Sequence, residues 1–194
     1  MAVTEATSTT RPLPAAGTWT LDTTHTDVSF TARHLMVTKV RGRLPLVGGT
    51  VTIADNQLAS SVEATLDVGG VHSGEAARDE HLRTGDFFDV EHYPTITFRS
   101  TKVEEAGNGE YRLTGDLTIK DVTRPVTLEL EYLGSVASPW NDQRAGFSAR
   151  TEISRKDWGL GWNVALEAGG VVVGDKVKIE IEAEAILQQE SHRQ

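Results

Sequence analysis

From Trp19 to Leu187 the chain alternates apolar and polar residues with a period of two, the signature of strands with one dry and one wet face. Trp19 and Leu21 alternate with Thr18, Thr20 and Asp22, and Val28, Phe30 and Ala32 with Asp27, Ser29, Thr31 and Arg33. Val51 and Ile53 follow the Gly48-Gly49 pair, and Asp55-Asn56-Gln57 turns the chain into Val62, Ala64, Leu66 and Val68. Ile96 and Phe98 lead through Gly107-Asn108-Gly109 to Tyr111, Leu113, Leu117 and Ile119; Asn-Gly between two such runs predicts a hairpin. Three further runs complete the set: Val126 to Tyr132, Phe147 to Ile153, and Val177 to Ala185.

Eight or nine strands result, nearly all joined by short connections. Parallel pairing would need crossover segments, so neighbours are expected to be antiparallel. A sheet of this size with one polar face splits into a sandwich or closes into a barrel, and eight strands enclose packed side chains or one small ligand. The expected fold is all-β: a single closed antiparallel barrel of about eight strands with one short capping helix.

That helix is read from Ser73 to Pro94, the only helix-like stretch. Ser73 serves as N-cap, Glu75 sits in the first turn and Gly85 stops the helix, giving Gly74 to Thr84. An Asp79–Arg83 pair contributes only ~0.2 to 0.5 kcal/mol, so the anchoring is assigned to Leu82, Phe87, Phe88 and Val90. The segment from Arg155 to Gly174 breaks the alternation with five glycines and two tryptophans. It reads as a long loop or flap, in which Trp158 and Trp162 either line a mouth or plug the end of the core.

Composition narrows the function. The 194 residues suit one domain, placed at 17–188 between a disordered N-terminal tail, 1–16, and a short C-terminal tail, 189–194. With no cysteine, disulfides, zinc thiolate sites and cysteine nucleophiles are excluded. Acidic side chains outnumber basic ones by 28 to 19, so the long-range field repels nucleic acid and anionic membrane surfaces. No apolar run approaches the ~18 residues of a membrane span, and stable membrane insertion is not expected. The first sixteen residues contain no apolar core of a secretory signal, from which a cytoplasmic location is expected.

Several stretches taken together resemble the YceI-like family of lipocalin-like barrels. They are Trp19 to His34, Val40 to Gly42, Arg78 to Phe98, Gly115 to Leu128, Phe147 to Asn163 and Gly174 to Glu182, in the order that family shows. The resemblance implies an elongated apolar cavity holding a polyisoprenoid, such as a polyprenyl phosphate or an isoprenoid quinone, in a sequestering or transport role. It implies no catalytic activity, and it carries the expectation of a homodimer.

On this reading the inward candidates for the ligand tail are Val28, Phe30, Phe98, Leu117, Ile119, Leu128, Leu130 and Phe147, with Trp158 and Trp162 at the mouth. Each serves equally well as ordinary core. Arg78, His81 and Arg83 on the cap, with His34, are candidates for an anionic head group, since arginine presents a planar fork of donors to phosphate. The alternative is that Arg78 and Arg83 pair with Asp79, Glu80, Asp86 or Asp89. The six histidines form no spaced ligand motif, and there is no nucleophile elbow or phosphate loop. No cofactor, metal or catalytic residue is therefore expected. Two other readings stay open: an enzyme acting on a lipid, metal-dependent through His25, His34, His81, His92 and Asp79 or acid-base through Asp22, Asp27 and Asp79, and a stress-related barrel with a filled interior.

Overall fold

The computed structural model describes residues 13–167 and 169–189. Among these residues ten antiparallel strands form one sheet: β1 (Gly17–Leu21), β2 (Asp27–His34), β3 (Thr38–Arg43), β4 (Leu46–Ile53), β5 (Ser61–Asp67), β6 (Thr95–Gly107), β7 (Glu110–Ile119), β8 (Val122–Ala137), β9 (Gln143–Ser154) and β10 (Val173–Leu187). One α-helix, α1 (Ala76–Arg83), lies between β5 and β6.

Ten strands make an eight-stave barrel because two staves are broken. Both β1 and β2 pair with β10, while β4 pairs with β1 and β3 with β2. The first stave is interrupted at residues 22–26, where Asp22 Oδ1 accepts from the backbone N–H groups of Thr24 and His25 and diverts the chain. The second is interrupted at Pro45, which has no N–H to give to a ladder. Closure comes from β1 against β10, with Trp19 opposite Leu187, Thr20 opposite Ile186 and Leu21 opposite Ala185. The barrel read from the alternation is thus the barrel observed.

The hairpin between β6 and β7 turns on Asn108 and Gly109, both at positive φ (56° and 79°), the conformation that matches the twist of paired strands. Its turn end, with Val103, Tyr111 and Leu113, packs the first of two apolar clusters, around Trp19, Tyr111, Tyr132 and Phe147. Leu13 belongs to it. The backbone of Leu13 exchanges hydrogen bonds with the Gln57 carboxamide, both at 3.2 Å, and Leu13 and Pro14 are buried. Packing therefore begins before the expected boundary at residue 17. Residues 1–12 and 190–194 of the expected tails lie outside the described residues.

The second cluster, around Val68, Val71, Phe87, Ile119 and Trp158, sits at the opposite end beneath α1. The helix is shorter than expected, at eight residues, and its N-cap is Glu75, whose side chain accepts from Ala77 N–H at 3.2 Å. Ser73 is spent elsewhere. Its backbone N–H and hydroxyl donate to Asp79 Oδ1 at 2.7 and 2.5 Å, because a carboxylate buried to 5% exposure needs donors that water does not supply. Arg83 donates to the carbonyls of Gly69 and Val71.

Candidate functional site

Between the two clusters lies a cavity of about 300 Å³. Its wall is built from the inward positions of the barrel, with Leu82, Phe87 and Phe88 closing it from the cap side and Leu13 at the other end. Along β7 alone the lining runs from Leu113 to Ile119, roughly 20 Å of strand. That volume spread over that length leaves a narrow bore, wide enough for one hydrocarbon chain.

Val28, Phe30, Phe98, Leu117, Ile119, Leu128, Leu130 and Phe147 all stand on this wall. Two of the rings are positioned by glycines across the ladder. Phe30 lies over Gly42, its cross-strand partner, and Phe98 over Gly115, positions where no side chain competes for the space.

The two tryptophans are off the wall. Trp158 is buried at 3% exposure and its indole N–H donates to Leu117 O at 3.0 Å, so it plugs the core end beneath the loop. Trp162 is half-buried and meets the cap, with its ring 4.7 Å from His81 and 5.4 Å from Phe87.

The four head-group candidates also lie off the wall. Arg78 donates to the Ser73 hydroxyl and carbonyl at 2.8 and 3.0 Å, and Arg83 to the two carbonyls already named. Both guanidiniums thus brace the loop before α1, in place of the acidic partners expected from the sequence. His81 meets Asp86 at 2.8 Å, and His34 ends β2 opposite Thr38.

One lining residue was not legible in the sequence. Arg155, 5% exposed, reaches the cavity wall from the short 3-10 turn after β9. Its guanidinium donates to the carbonyls of Leu160 (2.5 Å), Trp162 (2.9 Å), Val173 (3.2 Å) and Gly174 (3.0 Å), with Asp175 at 3.6 Å. Burial pushes its pKa down and Asp175 opposes that, yet an arginine stays charged at neutral pH. One side chain thereby ties both ends of the 155–174 loop to the barrel rim. The sequence gives no signal for this, since an arginine between Ser154 and Lys156 reads as exposed. The other polar groups of the wall are mostly spent on the barrel: Ser29 donates to Glu180 O, Thr151 to Thr127 O, and Ser60 Oγ accepts from Ala54 N–H.

The histidines read as a conceivable metal set do not converge with Asp79 among the described residues. His25 pairs with Asp22, His72 with Asp79, His81 with Asp86 and His92 with Asp89. One group with ligand-like spacing does occur, Asp22, His25 and Glu184. Its charge is already met, since Arg144 Nη1 bonds Asp22 at 3.1 Å and also bonds Glu184. The Thr24 hydroxyl, with His25 and backbone donors, holds the Asp22 carboxyl far below its usual range against the opposing effect of burial.

The YceI-like domain model matches residues 19–185. The chain belongs to this family. Among its YceI-like relatives, the UPF0312 protein of Vibrio parahaemolyticus is 37% identical over 153 residues, covering 77% of this chain and 81% of that one. Protein YceI of Escherichia coli O157:H7 is 39% identical over 137 residues, covering 70% and 71%. Of solved structures, BcnA of Burkholderia cenocepacia matches with a TM-score of 0.73 at 23% identity, covering 84% of this chain and 98% of that one. A domain from Saccharophagus degradans described as polyisoprenoid binding matches with a TM-score of 0.63 at 14% identity, covering 90% and 100%. These two likenesses carry the YceI-like fold.

Proposed function

We propose that this YceI-like barrel is a non-catalytic carrier that holds the tail of a polyisoprenoid, or of a similar long-chain amphiphile, in its cavity. The observation behind the reading is the wall itself: a narrow bore, almost wholly apolar, whose polar side chains mostly bond the barrel's own backbone. Such a wall offers a guest burial and little else. The description of the Saccharophagus degradans domain supports the same ligand class. A cytoplasmic location and association into a dimer belong to the proposal as well.

Burial of methylenes is worth roughly 0.8 kcal/mol each, so forty carbons would give about 30 kcal/mol, beyond the ~18 to 21 kcal/mol at which affinity saturates. Ordering a flexible chain must offset most of it. Chain length is then a poor discriminator, and selection falls to the head group at the rim.

Native mass spectrometry of detergent-free protein, followed by solvent extraction, tests the reading. A mass excess resolving to one prenyl series is expected, and Leu128→Glu, which puts a charge in the wall, should abolish it. Unchanged lipid in a folded Leu128→Glu variant would overturn the proposal.

A further inference from the structure

The tip of the β2–β3 hairpin carries Leu35, Met36 and Val37, exposed at 42%, 57% and 74%. Leu35 and Met36 sit at φ 52° and 61°, a left-handed conformation that large apolar residues rarely adopt. The turn thus holds them out in water and does not fold them onto the barrel. Val164, 49% exposed, continues the patch, because Leu35 N–H donates to Val172 O and Val172 N–H to Val164 O.

Behind this tip the surface is basic. The register sets Arg33 opposite Lys39 and Thr31 opposite Arg41, and β10 brings Lys178 beside Thr31. All four cations are exposed. No aspartate or glutamate occurs between Asp27 and Asp55, in a chain that has 28 of them. Among the described residues Lys39, Arg41 and Lys178 make no ion pair, Arg33 donates to Val37 O at 3.3 Å, and Arg43 meets Asp27 at 3.2 Å. Glu152, opposite Lys178, and Glu180, opposite Ser29, mark where the basic strip ends, and the exposed Glu167 bounds the tip on the side of the 164–172 loop.

We infer that this tip docks the barrel on an anionic lipid bilayer, Leu35, Met36 and Val37 entering the headgroup region while Arg33, Lys39 and Arg41 lie against lipid phosphates. The few protruding side chains fall well short of the roughly 800 Å² per partner of a stable protein interface, whereas an apolar point backed on its β2–β3 face by cations without ion pairs matches a negatively charged bilayer. The net charge of −9 then works as an orienting force. The acidic remainder, which includes Glu75, Glu80, Asp86, Asp89 and Glu91 of the neighbouring cap segment, is repelled, so the molecule meets the surface by the face of the basic strip. Its tip lies at the end that carries α1, where Leu82 and Phe88 close the cavity. Docking stands on the surface alone; its use as a route for an isoprenoid rests on the proposed function.

Co-sedimentation of the full chain at low salt, with vesicles of phosphatidylglycerol and phosphatidylcholine against phosphatidylcholine alone, tests it. The expected result is binding to the anionic vesicles about tenfold or more above the neutral ones, falling as salt is added. Val37→Asp, and Lys39→Gln with Arg41→Gln, should each lower it about tenfold with unchanged thermal melting. Wild-type protein that ignores anionic vesicles overturns the inference, as does full binding by both variants. Retention on immobilised polyglutamate without vesicle binding also overturns it, and assigns the strip to an acidic protein. Lipid is extracted from the same samples. Isoprenoid-loaded protein that ignores vesicles refutes docking alone, while vesicle binding by bare protein supports docking and counts against the ligand.

Discussion

Phe30 lies so close over Gly42 that a Cβ at position 42 would stand 2.3 Å from its Cζ. At Gly115 a Cβ would meet Phe98 Cζ at 2.4 Å and the Arg99 carbonyl oxygen at 2.6 Å. The two contacts differ in what can give way. Phe30 faces the cavity and has room to swing into it, whereas the Arg99 carbonyl is part of the β6 backbone. Gly42→Ala should therefore cost about 1 kcal/mol and narrow the bore, while Gly115→Ala should cost up to about 3 kcal/mol. Urea unfolding ranks the two, and bound lipid should fall in Gly42→Ala although it folds.

Arg155 makes a second test. Arg155→Met takes the guanidinium from four carbonyls; Val173 O keeps the Asn163 carboxamide at 2.7 Å, while those of Leu160, Trp162 and Gly174 lose their side-chain donor, at about 1 to 3 kcal/mol for a buried acceptor left unpaired. Lysine lacks the forked geometry, so Arg155→Lys should fall between wild type and Met. Denaturant unfolding gives the order, and amide exchange at Leu160 and Val173 should speed up in both variants.

Much of the fold was legible because an antiparallel barrel has one dry face, so Val126, Leu128, Leu130 and Tyr132 announce their side by alternation alone. The breaks at Asp22 and Pro45 were less visible, since the paired halves share a partner only in three dimensions. Ser73 misled because its side chain serves both as a cap and as a donor to a buried carboxylate, and sequence does not say that Asp79 is buried. Arg155 stayed hidden for a related reason: its acceptors are backbone carbonyls, which carry no mark in the sequence. The basic strip was present as an acid-free run, but the net charge averaged it away.

Trp158 separates core from cavity. Trp158→Phe loses the bond to Leu117 O and should cost about 0.5 to 1.5 kcal/mol, read by urea unfolding. Because Trp158 stands off the wall, lipid content measured by extraction should stay at the wild-type level.

Asp79 sets an acid limit. Burial opposes its charge, but the hydroxyl and backbone N–H of Ser73 outweigh that, with help from His72 and Arg83, so the carboxyl titrates below its ordinary 3.8. A group depressed in the folded state stabilises fully above 3.8 and loses that contribution as pH falls through its folded value. Asp79→Asn should be less stable at neutral pH and should lose less stability below 3.8 than wild type does. Melting temperature followed from about pH 6 down to about pH 2 displays both effects.

The seam between β1 and β10 joins Trp19 to Leu187, nearly the full span of the barrel sequence. A ribosome making this chain delivers the closing strand last, so the ring cannot shut during synthesis until residue 187 has emerged. Contacts so distant in sequence also form slowly. Through that interval the greasy inner face stands open along one side, as a trough and not a tube. A hydrophobic guest that met the newborn chain would need no door, since the last strand would fold over it.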